Sequence, residues 1–228
     1  SRPAGGLAAL EFIAAPLSGA VDGINEAGLA VTYDYAYVVE DSRPGPTLAM
    51  LSQTALSRFA RAAEAAEWLA SRPRWGAGLL MLADAQGDAL SLELSPSRHA
   101  LRRPEAGRSF VAHANHYRDP RTSAVQVDRA AVFGAGAPRA LRGRRVLASS
   151  EARAARMAEL AGAVSQPSGL DALLGDHGGA GSDRSATLCV HSDYWNTIAS
   201  VQLFPRRRSM RVNLGYGCRA RWSDHAVA

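Results

Sequence analysis

Three side chains in the stretch VAHANHYRDP, residues 111–120, have types suited to chemistry: His113, Asn115 and His116. Val111 and Ala112 read as the end of a strand over 108–113, and Tyr117 to Pro120 read as a loop. A carboxamide there can donate N–H to a developing oxyanion without bringing a charge, which an ionised Asp cannot do. Such a donor contributes roughly 3 kcal/mol in an acyl-transfer transition state. The same Asn can equally end a strand as a hydrogen-bonded terminator. The two histidines either tune and orient a neighbouring site or are satisfied structural groups. Without a carboxylate cluster they make a poor metal site, and no metal is expected there.

Asp34 is a further candidate. Leu29, Val31, Tyr33, Tyr35 and Tyr37 alternate with Ala30, Thr32, Asp34 and Ala36, so Asp34 falls on the face opposite the tyrosines. Cys189 and Cys218 form neither a CxxC pair nor a metal-ligand array by spacing. Cys189, in the apolar run TLCV, reads as a small buried hydrophobe. A disulfide between the two has no support in the pattern.

The basic residues number 26 and all are Arg, giving a formal net charge of +5. The absence of Lys excludes Schiff-base chemistry within these residues. Arg clusters at 102–103, 142–145 and 206–208 lack interleaved aromatics, so they read as solvated charge and not as a nucleic-acid surface. A phosphate-bearing thioester such as a coenzyme A ester is a second use for them. No apolar run approaches the ~20 residues of a membrane span, so no membrane partner is expected.

These residues need a frame. The chain has 228 residues, 47% of them hydrophobic, enough for one sizeable core. Strands are expected at 7–13, 17–21, 29–38, 77–83, 89–94, 98–103, 108–113, 186–191, 197–204 and 209–215. The segment 22–28 reads as a turn punctuated by Gly23, Asn25 and Gly28. One helix is expected over 48–70, capped by Thr47, with two shorter ones capped by Ser149 or Ser150 and by Ser168. Strands, long helix, strands, helices, strands in that order argue an α+β fold or a helix–sheet–sheet–helix sandwich, in a single domain 1–228.

Three ordered stretches carry a resemblance: SGAVDGINEAGLAVTYDYA (18–36), VAHANHY (111–117) and LLGDHGGAGSDRSATLCVHSDYWNTIASVQLFPRRRSMRVNLGYGC (173–218). Together they resemble the acyl-coenzyme A:6-aminopenicillanate acyltransferase family of N-terminal-nucleophile (Ntn) hydrolases. The resemblance implies a four-layer αββα sandwich made by autocatalytic cleavage, no cofactor, and attack by an N-terminal nucleophile on a linear amide or thioester. It makes Asn115 the oxyanion donor. It places Tyr33, Asp34, Tyr35, His113, His116 and Thr197 around the substrate, with Thr197 either lining the pocket or structural. Relatives tend to carry Asn where this chain has Asp34. A carboxylate there repels an oxyanion unless protonated or turned away, or it holds a cationic amine; the plain alternative is a solvent-facing Asp.

The family nucleophile has no match ahead of LAALEF. The expectation is therefore an upstream small subunit or cleaved segment that supplies it, with Ser1 as the minor alternative. The expected function is hydrolysis or acyl transfer in a cytoplasmic enzyme of secondary metabolism. The alternative is a catalytically inactive relative that serves as a binding or scaffold subunit. Oligomeric state is open, a homo-oligomer included.

Overall fold

The computed structural model describes residues 1–179 and 182–227. They group into two compact units, one drawn from 1–126, 203–211 and 224–227, the other from 127–202 and 212–223. Three of the four boundaries fall inside strands, which is why no linker is visible in the sequence.

The first unit holds one antiparallel sheet of six strands in sequential order: β1 (Ala9–Phe12), β2 (Asp22–Asn25), β3 (Ala30–Tyr35), β4 (Gly78–Ala83), β5 (Ala89–Leu94) and β6 (His99–Arg102). Helices α1 (Leu48–Arg58) and α2 (Ala62–Ser71) connect β3 to β4. The period of two sorts the side chains between faces. Val31, Leu80, Leu82, Leu90, Leu92 and Leu94 pack against Leu48, Leu51, Leu56 and Leu69 of the helices. The opposite face carries polar groups in two cross-strand rows: Asp22–Thr32–Met81–Ser91–Arg102, and Asp34–Leu79–Glu93–Ala100.

The single helix expected over 48–70 is two helices, and distant side chains explain the break. Asn25 Nδ2 donates to the carbonyls of Leu56 and Phe59, both at 2.7 Å, and so satisfies the end of α1. Its Oδ1 accepts from Ala27 and Leu29 and shapes the β2–β3 turn. The Asp84 carboxylate, from the β4–β5 turn, accepts from Arg61 Nε at 2.9 Å and from the Ala62 N–H at 3.1 Å, and caps α2. With both ends met from outside, the continuous ladder through 59–61 is replaced. Gly28 turns at φ 89°, and a Cβ there would meet the Pro205 carbonyl oxygen at 2.6 Å.

Other expectations need correction. The strand expected at 17–21 is absent, and the residues read as a turn supply β2. Residues 108–113 form no strand. The segment that follows has its N–H groups met by Glu93 and Gln126 side chains instead of a neighbouring strand. A short helix α3 (Pro120–Ser123) closes that segment, capped by Asp119.

In the second unit α4 (Ala148–Leu160) starts ahead of the two serines expected to cap it. Ser149 Oγ instead donates to the Ser185 carbonyl at 2.8 Å. Helix α5 (Pro167–Leu174) begins after Gln166, not at Ser168. ATLCVH at 186–191 makes no strand, only one bridge between His191 and Asn196. Strands β7 (Ala199–Phe204), β8 (Ser209–Leu214) and β9 (Ser223–Ala226) form a three-stranded sheet that crosses the unit boundaries in sequence. A 3₁₀ turn, Pro205–Arg207, fills the gap left between the strands expected at 197–204 and 209–215, whereas β9 has no signal in the sequence. The architecture is thus α+β with antiparallel sheets.

Candidate active site

Asn115 is half-buried in the bend after the expected strand. Its Nδ2 donates to the Tyr35 carbonyl oxygen at 2.8 Å, which ties it to the end of β3. Buried groups hold it on either side. His113 sits with Nδ1 2.7 Å from Ser91 Oγ on β5 and Nε2 3.4 Å from Asp34 Oδ2 on β3. Tyr117 packs on Ala36 and Leu79, and its hydroxyl donates to the Leu94 carbonyl. Burial, and then the charge of Glu93, pushes that phenol far above its ordinary range.

Glu93 anchors the next turn of chain. Fully buried on β5, it accepts from the N–H groups of Arg118 at 2.9 Å and Asp119 at 3.2 Å and from the Thr122 hydroxyl, with Arg102 4.0 Å away. Backbone donors, a hydroxyl and a guanidinium thus meet its carboxyl oxygens in the buried setting, which offsets their loss of water.

The polar face carries one further titratable group. Burial, reinforced by the Asp34 charge, raises the Asp22 carboxyl from 3.8 to about 7. Asp22 and Asp34 are diagonal neighbours on adjacent strands, β2 and β3.

The structure thus gathers Asp34, Tyr35, His113 and Asn115 at one end of β3. Tyr33 goes elsewhere: its ring lies on the helix side and packs against the core, with Phe59 and Trp68. The Tyr35 hydroxyl donates to that of Tyr37 at 2.7 Å. His116 is half-buried beside Asn115. Ser1 lies against β1, its amine donating to the Ala9 carbonyl at 2.7 Å and its hydroxyl to Glu11 at 2.9 Å. Thr197 belongs to the second unit, where its Oγ1 accepts from the Val190 N–H at 2.9 Å and its own N–H donates to the Val190 carbonyl. Asp183 pairs with Arg144 at 2.7 Å.

Sequence reasoning missed Ser91, Glu93 and Asp22. The alternation in ALSLEL carried the signal for the first two, since Leu90, Leu92 and Leu94 leave Ser91 and Glu93 facing the other way. It also missed a convergence in the second unit. His177, Cys189, His191 and Cys218 each place a ligand atom within 4.8 Å of the others.

Residues 1–217 match the acyl-coenzyme A:6-aminopenicillanic acid acyl-transferase family. The chain belongs to this family. Membership agrees with the Ntn-hydrolase fold class and with the acyl-transfer chemistry implied by the three sequence stretches. No curated protein matches the chain. Among solved structures it is similar to penicillin V acylase from Agrobacterium tumefaciens, at 30% identity over 37% of this chain and 29% of that one, with a TM-score of 0.31. The chain therefore spans well under half of that acylase. It is also similar to two single-residue variants of conjugated bile acid hydrolase from Clostridium perfringens. One is 12% identical over 96% of this chain and 81% of that one (TM-score 0.47), the other 11% identical over 97% and 82% (TM-score 0.48).

Proposed function

We infer that this acyltransferase-family chain breaks or forms a linear amide or thioester through an acyl-enzyme, with Asn115 as the oxyanion donor. The observation that carries the reading is the clamp on Asn115. One N–H of its carboxamide is committed to Tyr35, and His113, Tyr117 and Glu93 fix the backbone on both sides. In the proposed reaction the Asn115 carboxamide is the N–H donor to the reacting oxygen. When a nucleophile adds to the carbonyl carbon, the C=O electron pair moves to oxygen. A preorganised donor then stabilises the charge without reorganising. Collapse of that intermediate expels an amine from an amide or a thiol from a thioester.

Asp34 has its partner in His113. With the ring proton on Nε2, Ser91 donates to Nδ1 and the ring presents N–H to the carboxylate. This turns the negative charge toward the imidazole, which addresses the repulsion a bare carboxylate would exert on an oxyanion. The attacking group is not assigned to Ser1, because its amine and hydroxyl are tied to Ala9 and Glu11. The proposed partner is a small subunit or cleaved segment that carries the nucleophile. The family's description points to acyl-coenzyme A as one acyl donor class, and N-acyl amides are the other.

The test incubates the full-length protein with a panel of acyl-coenzyme A thioesters and N-acyl amides, following free thiol or amine and the intact mass. Turnover on one class, with an acyl adduct in the mass spectrum, is expected. A protein that neither turns over nor acquires an adduct would contradict the reading.

A further inference from the structure

Three separate segments of the second unit bring two thiols and two imidazoles to one point. His177 follows the end of α5, Cys189 and His191 share a turn, and Cys218 follows the end of β8. Their ligand atoms all lie within 4.8 Å of one another. His191 Nε2 stands 3.4 Å from Cys189 Sγ and 3.5 Å from Cys218 Sγ. Zinc bonds of about 2.3 Å to sulfur and 2.0–2.1 Å to nitrogen give a tetrahedron with edges of roughly 3.4–3.8 Å. The thiol–imidazole distances already match such edges.

Burial points the same way. Cys189 is completely buried. His177 Nε2 is buried with no hydrogen-bond partner, an arrangement that costs about 1–3 kcal/mol if nothing meets the nitrogen. A disulfide between the cysteines would use both sulfurs and leave two imidazoles facing it. A thiol–imidazole dyad would use one of each and strand the others. A metal ion uses all four.

The surroundings hold the donors as an outer shell does. Arg156 from α4 grips both oxygens of Asp176 at 2.8 and 2.9 Å, and the Asp176 carbonyl accepts from the Cys189 N–H at 2.9 Å. Thr197 brackets Val190 between Cys189 and His191 with its hydroxyl and its backbone. Tyr216 stacks on His191 with ring centroids 3.7 Å apart. Gly217 lets the chain approach α5: a Cβ there would meet the Leu174 carbonyl oxygen at 2.2 Å. That close approach puts Cys218 beside Gly175.

We propose that His177, Cys189, His191 and Cys218 form a structural Zn²⁺ site that staples the end of α5 to the Cys189–His191 turn and to the segment after β8. Tetrahedral S₂N₂ donor sets select zinc over hard cations. Four protein ligands leave no position for substrate, so the role is structural. Binding converts both thiols to thiolates and releases two protons per ion. The site is independent of the reading of Asn115, and its test needs no turnover.

The full chain is reduced, stripped with a chelator and titrated with Co²⁺, then with Zn²⁺. The expected result is one ion per chain, with the d–d bands of tetrahedral cobalt and a thiolate charge-transfer band, both erased by zinc. Cys218 is exposed, so C218S should keep its fold by circular dichroism while losing the charge-transfer intensity of one sulfur. H177A and C218S should each weaken zinc by more than the roughly 10–100-fold typical of outer-shell changes. The control H225A should bind as wild type. A reduced wild-type chain that binds neither ion overturns the proposal. So does unchanged zinc affinity in folded C218S and H177A.

Discussion

The Asn115 amide nitrogen donates to the carbonyl oxygen of Tyr35 at 2.8 Å. The bond joins the segment after β6 to the last residue of β3, with β4 and β5 lying between those two strands in the sheet. It does so without a strand pairing, since residues 108–113 form no ladder. Side chains therefore do the positioning, and the sheet's polar face supplies most of them: Asp34, Ser91 and Glu93.

Glu93 is the strongest of these anchors. In E93A the N–H groups of Arg118 and Asp119 and the Thr122 hydroxyl lose their acceptor in a buried setting. The expected loss of unfolding free energy is about 2–4 kcal/mol. E93Q keeps one acceptor oxygen and should lose less. Urea unfolding of both variants measures this, and an E93A midpoint equal to wild type would show that the segment is held by other means.

Asp84 should set part of the acid limb of stability. Burial pushes its carboxyl up, but the bonds from Ala62, Arg61, Gln86 and Asp88 outweigh this and hold it below the ordinary 3.8. A depressed folded-state value means stability that is fully present above 3.8 and lost as pH falls through the lower value. D84N should lose about 1–3 kcal/mol at neutral pH. Its stability should approach that of wild type under strongly acidic conditions. Unfolding midpoints measured down to low pH check this, and parallel curves would contradict it.

Asp22 has the opposite sign. Its folded-state value of about 7 lies above the ordinary 3.8, so the native state binds the extra proton between these values. Stability therefore falls as pH rises across that interval, and the penalty is complete above it. D22N mimics the protonated form. It should equal wild type near pH 4 and exceed it at pH 8, by on the order of 2–4 kcal/mol. A D22N protein that is no more stable than wild type at pH 8 would contradict the assignment.

The sequence shows what is local. Alternation in 29–37 and in ALSLEL places β3 and β5, and the apolar run AGLLMLA places β4. What it hides is set from far away. Nothing in 48–70 announces a break, because the groups that end α1 and start α2 are Asn25 and Asp84. Asn115 and His113 are recognisable as candidates by type. Their partners Tyr35, Ser91 and Asp34 emerge only once the strands are in register. The alternation already set Tyr33 on the face opposite Asp34, and the structure keeps it there against the core. Cys189 and Cys218 look unrelated by spacing until Gly175 and Gly217 let their segments meet.

The most direct measurement is single-turnover acylation of the full-length enzyme and its N115A variant, with binding measured separately. The account predicts a loss of about 10²–10³ in the acylation rate with substrate affinity nearly unchanged, since the donor acts on the oxyanion and not on the ground-state carbonyl. Acylation by N115A at the wild-type rate, in a protein that folds and binds normally, would contradict it.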